Sequence, residues 1–156
     1  MGLDNIPKNY PCLGHEIRDE EGRIDCQANQ ERGLCTWKNQ YESNPLLKEA
    51  GPTLGMFGTD CWYRGKYGNY LLYLLNEEVS HDYSFYGNGY EDGSEGISPN
   101  ECIEISRFMR EHAENFAYIA GVKEPERSRQ LINDYIYAAW WLEFVGNFSD
   151  GSEVWY

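Results

Sequence analysis

The sequence predicts an α+β protein, mostly α, in which an irregular, hairpin-bearing N-terminal half packs on a C-terminal helical hairpin. Three observations carry this. Residues 1–43 are rich in turn-forming residues, residues 98–146 hold two long apolar-periodic segments with clear end signals, and 156 residues suit one domain with a core of its own. The chain is read as a single domain, 1–156, built from a Cys-containing turn and hairpin half (1–66) and an acidic helical half (67–156).

In the first half, "HEIRDEEGRIDCQA" reads as a hairpin, with strands Glu16–Arg18 and Arg23–Cys26 and a "DEEG" turn ending at Gly22. "NPLLKEAG" reads as one short helix. Asn44 caps it, Pro45 takes the first helical position, where a missing N–H is harmless, and Gly51 ends it. Gly55, Gly58, Gly65 and Gly68 then lead into a helix capped near Asn69 and running from Tyr70 to about Val79. Its "YLLYLL" is apolar on nearly every side, which predicts a central, buried helix. Residues 81–97, "HDYSFYGNGYEDGSEGI", predict a long acidic loop.

Ser98, Pro99 and Glu101 give the next helix an N-cap, a first-turn proline and a capping box, with Ile97 placed to staple onto Cys102. Cys102, Ile105, Met109, Phe116 and Ile119 or Ala120 form its buried stripe, and Gly121 closes it. A second long helix starts near Glu124–Pro125 and ends at Gly146. Leu131, Tyr135, Ala138, Ala139, Leu142 and Val145 form its inner face, and Trp140 and Trp141 widen the aromatic surface. In the tail an Asp150–Gly151 turn precedes a short alternating run that reads as a small strand. "DGSE" stands at both 92–95 and 150–153, each copy read as a turn.

Hydrophobic residues make up 41% and aromatics 15%, which marks a globular chain. No apolar run nears the roughly 20 residues that span a bilayer. "MGLDNIPKNYPC" has neither a basic nor an apolar leader region, and Ile6 stands where a myristoylation signal wants Ser or Thr, so a cytoplasmic protein is expected. Residues 1–66 carry eight Lys/Arg against ten Asp/Glu, and residues 67–156 five against sixteen, so −11 of the net −13 sits in the second half. A field of that sign repels phosphates and attracts basic protein surfaces, which argues against direct nucleic-acid binding. The same charge also serves as a solvated surface.

Four cysteines, Cys12, Cys26, Cys35 and Cys61, fall in the first half, each flanked by turn residues, and "CLGH" sets His15 three residues after Cys12. A tetrahedral zinc wants such thiols and imidazoles aimed inward by tight turns. The paired Cys-x-x-Cys knuckles of zinc ribbons are missing, so a structural zinc, independent packed thiols and disulfides all remain open. Cys102 fits the core stripe. Cys61 has Arg64 and Lys66 nearby to lower its pKa, yet no base is paired with it.

"CWYRGKYGNY" places Arg64 and Lys66 between glycines ahead of a helix start. Free N–H groups and two cations make a seat for a small anion such as a phosphate or nucleotide, held by Arg64, Lys66 and Asn69 and walled by Trp62, Tyr63 and Tyr67. The spacing matches neither a P-loop nor a dinucleotide fingerprint. In the acidic loop, Asn88, Glu91, Asp92, Ser94 and Glu95 miss the EF-hand ligand pattern, and His81–Asp82 reads as surface. Glu101, Glu104, Glu111 and Glu114 fall largely on one face of the long helix, opposite the apolar stripe, and no Ser-His-Asp or di-iron pattern can be drawn.

The opening "MGLD", the aromatic "YIYAAWWLEFVG", the closing "DGSEVWY" and "CWYRGKYGNY" resemble short uncharacterised proteins of phage and environmental microbial genomes. The resemblance carries no activity with it. It implies a small viral or accessory protein that acts by binding, in the host cytoplasm if viral. The expectation is a binding protein whose acidic half, through Glu101, Glu104, Glu111 and Glu114, docks on a basic protein partner. A small anionic ligand at residues 64–69 and a zinc-dependent enzyme built on Cys12, Cys26, Cys35, Cys61 and His15 are the alternatives.

Overall fold

The chain's earliest strand lies between strands from its middle and its end. In the computed structural model, which describes residues 4–47, 51–54, 61–74 and 96–155, β1 (Asp4–Pro7) pairs antiparallel with both β2 (Tyr63–Arg64) and β3 (Ser152–Trp155). The register sets Asp4 opposite Arg64 and Trp155, and Asn5 opposite Tyr63 and Val154. "DNIP" has little strand propensity of its own. It is held extended by partners on both sides, and the Asn5 side-chain amide donates to the carbonyls of Tyr63 (3.0 Å) and Gly65 (2.9 Å). Asp4 and Asn5 are fully buried polar residues.

The expected hairpin shrinks to one bridge, Arg18 opposite Ile24, closed by the Asp19 N–H on the Arg23 carbonyl at 2.8 Å. Cys26 does not end a strand. It opens α1 (Cys26–Glu31), because the Asp25 carboxylate accepts from the Ala28 N–H at 3.0 Å and caps a helix there. A second unexpected helix, α2 (Thr36–Ser43), is capped by Cys35, whose sulfur accepts from the Lys38 N–H at 3.4 Å. Asn44 caps as expected, with Oδ1 accepting from the Leu46 N–H at 3.0 Å, but a single 3-10 turn, Pro45–Leu47, follows it among the described residues.

Helix α3 (Tyr67–Leu74) starts before Asn69, which lies inside it. The expected extension to Val79, the loop residues 81–95 with their candidate ligands, and Gly55 and Gly58 lie outside the described residues. The long helix after Ser98 is two helices, α4 (Pro99–Glu111) and α5 (Ala113–Lys123). Its capping box forms as read, with the Ser98 hydroxyl accepting from the Glu101 N–H (3.2 Å) and the Glu101 carboxylate from the Ser98 N–H (3.3 Å). The break falls at His112 (φ −107°, ψ 16°), whose backbone N–H and ring Nδ1 both approach the Phe108 carbonyl.

Helix α6 (Ser128–Phe148) buries the whole expected inner face and, beyond it, Tyr137, Trp140, Trp141 and Phe144. Gly146 does not stop it. A methyl group there would stand 2.6 Å from Ile103 Cγ1, so the glycine marks the close crossing of α4 and α6. Ser106 ties the same pair, its hydroxyl donating to the Ala139 carbonyl at 2.6 Å. Around α6 the core is aromatic. Phe116 stacks on Tyr135 at 4.1 Å and Tyr70 meets Phe116 edge-on at 5.3 Å. Trp37 reaches from α2 to donate to the Tyr137 hydroxyl at 3.2 Å. The Asp150–Gly151 turn forms with Gly151 at φ +98°, against the Ile97 carbonyl. Among the described residues no helix is long and apolar enough to cross a membrane.

Candidate functional site

The four N-terminal cysteines converge. Cys12 lies in the 10–15 turn, Cys26 opens α1, Cys35 caps α2 and Cys61 precedes β2. A cavity of about 30 Å³ is lined by all four, with Ile24 and Trp37 among its apolar walls. Such a space suits one water or one ion and is too small for an organic ligand. Three of the thiols, Cys12, Cys26 and Cys61, also line a neighbouring hollow of about 580 Å³ that includes Tyr10, Arg18 and Arg23.

The surrounding structure fixes these segments. The Thr36 hydroxyl donates to the Pro11 carbonyl (3.3 Å), joining α2 to the Cys12 turn, and Trp141 Nε1 donates to the Cys61 carbonyl (2.8 Å), anchoring that segment on α6. None of the five cysteines is joined to another by a disulfide. Burial pushes the Cys61 thiol well above its ordinary value, and Cys26, Cys12 and Cys35 push it further. Burial also raises Cys12, followed by its neighbours Cys26, Glu16 and Cys35. Arg64 and Lys66 therefore do not activate Cys61, and a thiolate nucleophile is disfavoured there. Cys102 is a buried core residue of α4, and burial pushes its thiol up to about 12.

His15 is exposed, with Nε2 3.1 Å from the Leu34 carbonyl, and lines neither hollow. Among the described residues no three His, Cys, Asp or Glu side chains stand, as they are, in position to hold one metal ion.

The basic loop is organised differently from the sequence expectation. Arg64 grips the fully buried Asp4, with Nε 2.9 Å from Oδ1 and NH2 3.4 Å from Oδ2. Tyr63 and Tyr67 are core residues. The Trp62 side chain lies beside Tyr10. Lys66 is half-buried and makes no ion pair among the described residues, and the Asn69 side-chain oxygen is buried without a donor among them.

On α4 and α5, Glu104, Glu111 and Glu114 are exposed and make no ion pair among the described residues, while Glu101 serves the capping box. The same two helices expose Phe108, Tyr118 and Val122, with Tyr118 75% and Val122 65% accessible. Their cations are partly engaged elsewhere. Arg110 pairs with Glu143 of α6, and Lys123 lies 5.3 Å from the Tyr73 ring centre, while Arg107 is exposed among the acids.

Sequence reasoning missed one concave feature. Two hollows of about 290 and 490 Å³ flank the Arg110–Glu143 pair and share Asn44, Arg110 and Trp140. They form where the 3-10 turn meets α4 and α6, a long-range junction for which no local motif exists. Comparison with known proteins found no match: no family model fits the chain, and neither a curated protein nor a solved structure matches it significantly.

Proposed function

We propose that this protein is a binding protein that docks on a Lys/Arg-rich surface of another protein through the outer face of α4 and α5. One observation carries the reading. Carboxylates without an ion-pair partner among the described residues, Glu104, Glu111 and Glu114, stand on the same two helices as the exposed Phe108, Tyr118 and Val122. Carboxylates recognise the charged heads of lysine and arginine. Aromatic rings accept their cations and stems. The net charge of −13 adds long-range steering toward such a partner. This agrees with the small accessory role that the resemblance to phage proteins implies.

The probe is a fluorescent Lys/Arg-rich peptide titrated at low and at high salt. Saturable binding that weakens with salt is expected. Joint reversal of Glu104, Glu111 and Glu114 to lysine abolishes it, and Phe108→Ala with Tyr118→Ala weakens it. Reversal of Glu20, Glu21 and Glu31, which lie in the first half, changes the charge equally and leaves most of the binding. Equal loss in both charge-reversal variants, or binding indifferent to salt, overturns the proposal.

A further inference from the structure

We propose that Cys12, Cys26, Cys35 and Cys61 hold one structural zinc ion, which locks the N-terminal segments onto the helical body. Four thiols from four separate stretches of chain line a single cavity of about 30 Å³, the volume of an ion rather than of an organic molecule. Residues this far apart in sequence meet around one small space only because the fold brings them there. Irregular intervals of this kind have no knuckle signature, which is why spacing alone left the set undecided.

The chemistry of the donors fits zinc. Four sulfurs complete a tetrahedron and leave no open position, as in closed structural sites. The outer shell is in place as well. The Lys38 N–H donates to Cys35 sulfur, and Ile24 and Trp37 provide apolar walls on part of the cavity. On binding, four thiols give four protons to solvent, and the Zn(Cys)₄ unit carries a net charge of 2−. The neighbouring hollow, on which Cys12, Cys26 and Cys61 also open, provides an entry path.

The sulfurs do not yet stand around a common centre, so binding must swing them inward. What closes is a set of side chains on segments already tied down, by Thr36 to Pro11 and by Trp141 to Cys61. The stabilisation follows from joining the 10–15 turn, α1, α2 and the segment before β2 in one bond network. His15 has no part in it, because its ring lies against the Leu34 carbonyl.

The test uses the whole chain, purified without chelator, and needs no partner, so its outcome is separate from that of the docking proposal. Metal analysis is expected to find one zinc per chain. A thiol reagent should find Cys12, Cys26, Cys35 and Cys61 protected in the folded protein and all five thiols reactive once it is unfolded with chelator. Cobalt replacing zinc should give the intense thiolate-to-cobalt band and the visible bands of a tetrahedral site. Cys12→Ser, Cys26→Ser, Cys35→Ser and Cys61→Ser each remove the four-thiolate spectrum, while Cys102→Ser and His15→Ala keep it. Metal-free protein whose cobalt titration shows no thiolate band overturns the proposal, and that measurement does not depend on any variant folding. Disulfides found by mass analysis, or a full four-thiolate spectrum in any of the four serine variants, overturn it equally.

Discussion

Gly146 of α6 faces Ile103 of α4 across a gap that no side chain can enter. An added methyl group would lie 2.6 Å from Ile103 Cγ1 and 3.0 Å from the Pro99 carbonyl oxygen. Gly146→Ala therefore sets helix propensity, worth about 1 kcal/mol in its favour, against overpacking of about 1–3 kcal/mol. Net destabilisation of up to about 2 kcal/mol is expected by denaturant unfolding. Ile103→Ala in the same chain should relieve part of the clash, so the two changes should cost less together than the sum of their separate effects. Gly121→Ala is the control. It sits in α5 with open space around it, and it should stabilise by about 0.5–1 kcal/mol.

The Asp4–Arg64 pair predicts an asymmetry. Asp4 is fully buried, whereas the Arg64 side chain is 33% exposed. Arg64→Ala leaves a buried carboxylate without its cation and should cost about 3 kcal/mol. Asp4→Asn removes the negative charge and leaves an exposable guanidinium, so it should cost less. Thermal melts of the two variants check the order, and equal losses would show that the charge of Asp4 is immaterial.

Asp134 gives a pH-dependent prediction. Burial raises its carboxyl above the ordinary 3.8, and Arg127 opposes the rise only in part. An acid raised in the fold favours folding while it is protonated. That contribution is complete below pH 3.8 and is lost as pH climbs through the raised folded value. At pH 7 the ionised group is therefore a small liability, and Asp134→Asn should raise the melting temperature. The gain should shrink toward pH 3, and because the site is partly open to solvent it should stay below about 1 kcal/mol.

The capping box is the most local of the stabilising features. Ser98→Ala removes the acceptor for the Glu101 N–H and should cost about 1 kcal/mol. Ser98→Asp keeps an acceptor there and should restore most of it. Unfolding of both variants in urea decides the point.

How far the sequence reveals the fold depends on how far apart the determining atoms lie. Ser98, Pro99 and Glu101 act within one turn, so the start of α4 is legible, and so is the Gly151 turn. Gly146 looks like a helix stop because its partner, Ile103, is 43 residues away in the sequence and leaves no local trace. "DNIP" looks like a turn because its strand state depends on residues 63–64 and 152–155. Helices α1 and α2 were hidden for a different reason. Their caps, Asp25 and Cys35, precede polar segments, "CQANQE" and "TWKNQYES", that lack an apolar period. Asp25 is a standard capping residue and was a usable signal. At the candidate metal site the residue types were readable and their convergence was not. At the loop beside it, nothing in "CWYRGKYGNY" announces that Arg64 answers a carboxylate 60 residues upstream.

The order of the sheet also governs when the protein can be finished. Residues 4–7 are made before residues 152–155, and until those follow half of their hydrogen-bonding edge has no partner. At about 5–20 residues per second, that wait is on the order of ten to thirty seconds. Throughout it, Ile97, whose carbonyl accepts from the Ser152 N–H in the finished fold, lacks that donor. Helices α4, α5 and α6 are contiguous in sequence and can associate while the sheet is still open. Until then β1 is paired on one edge at most, and addition of β3 is the step that completes its pairing.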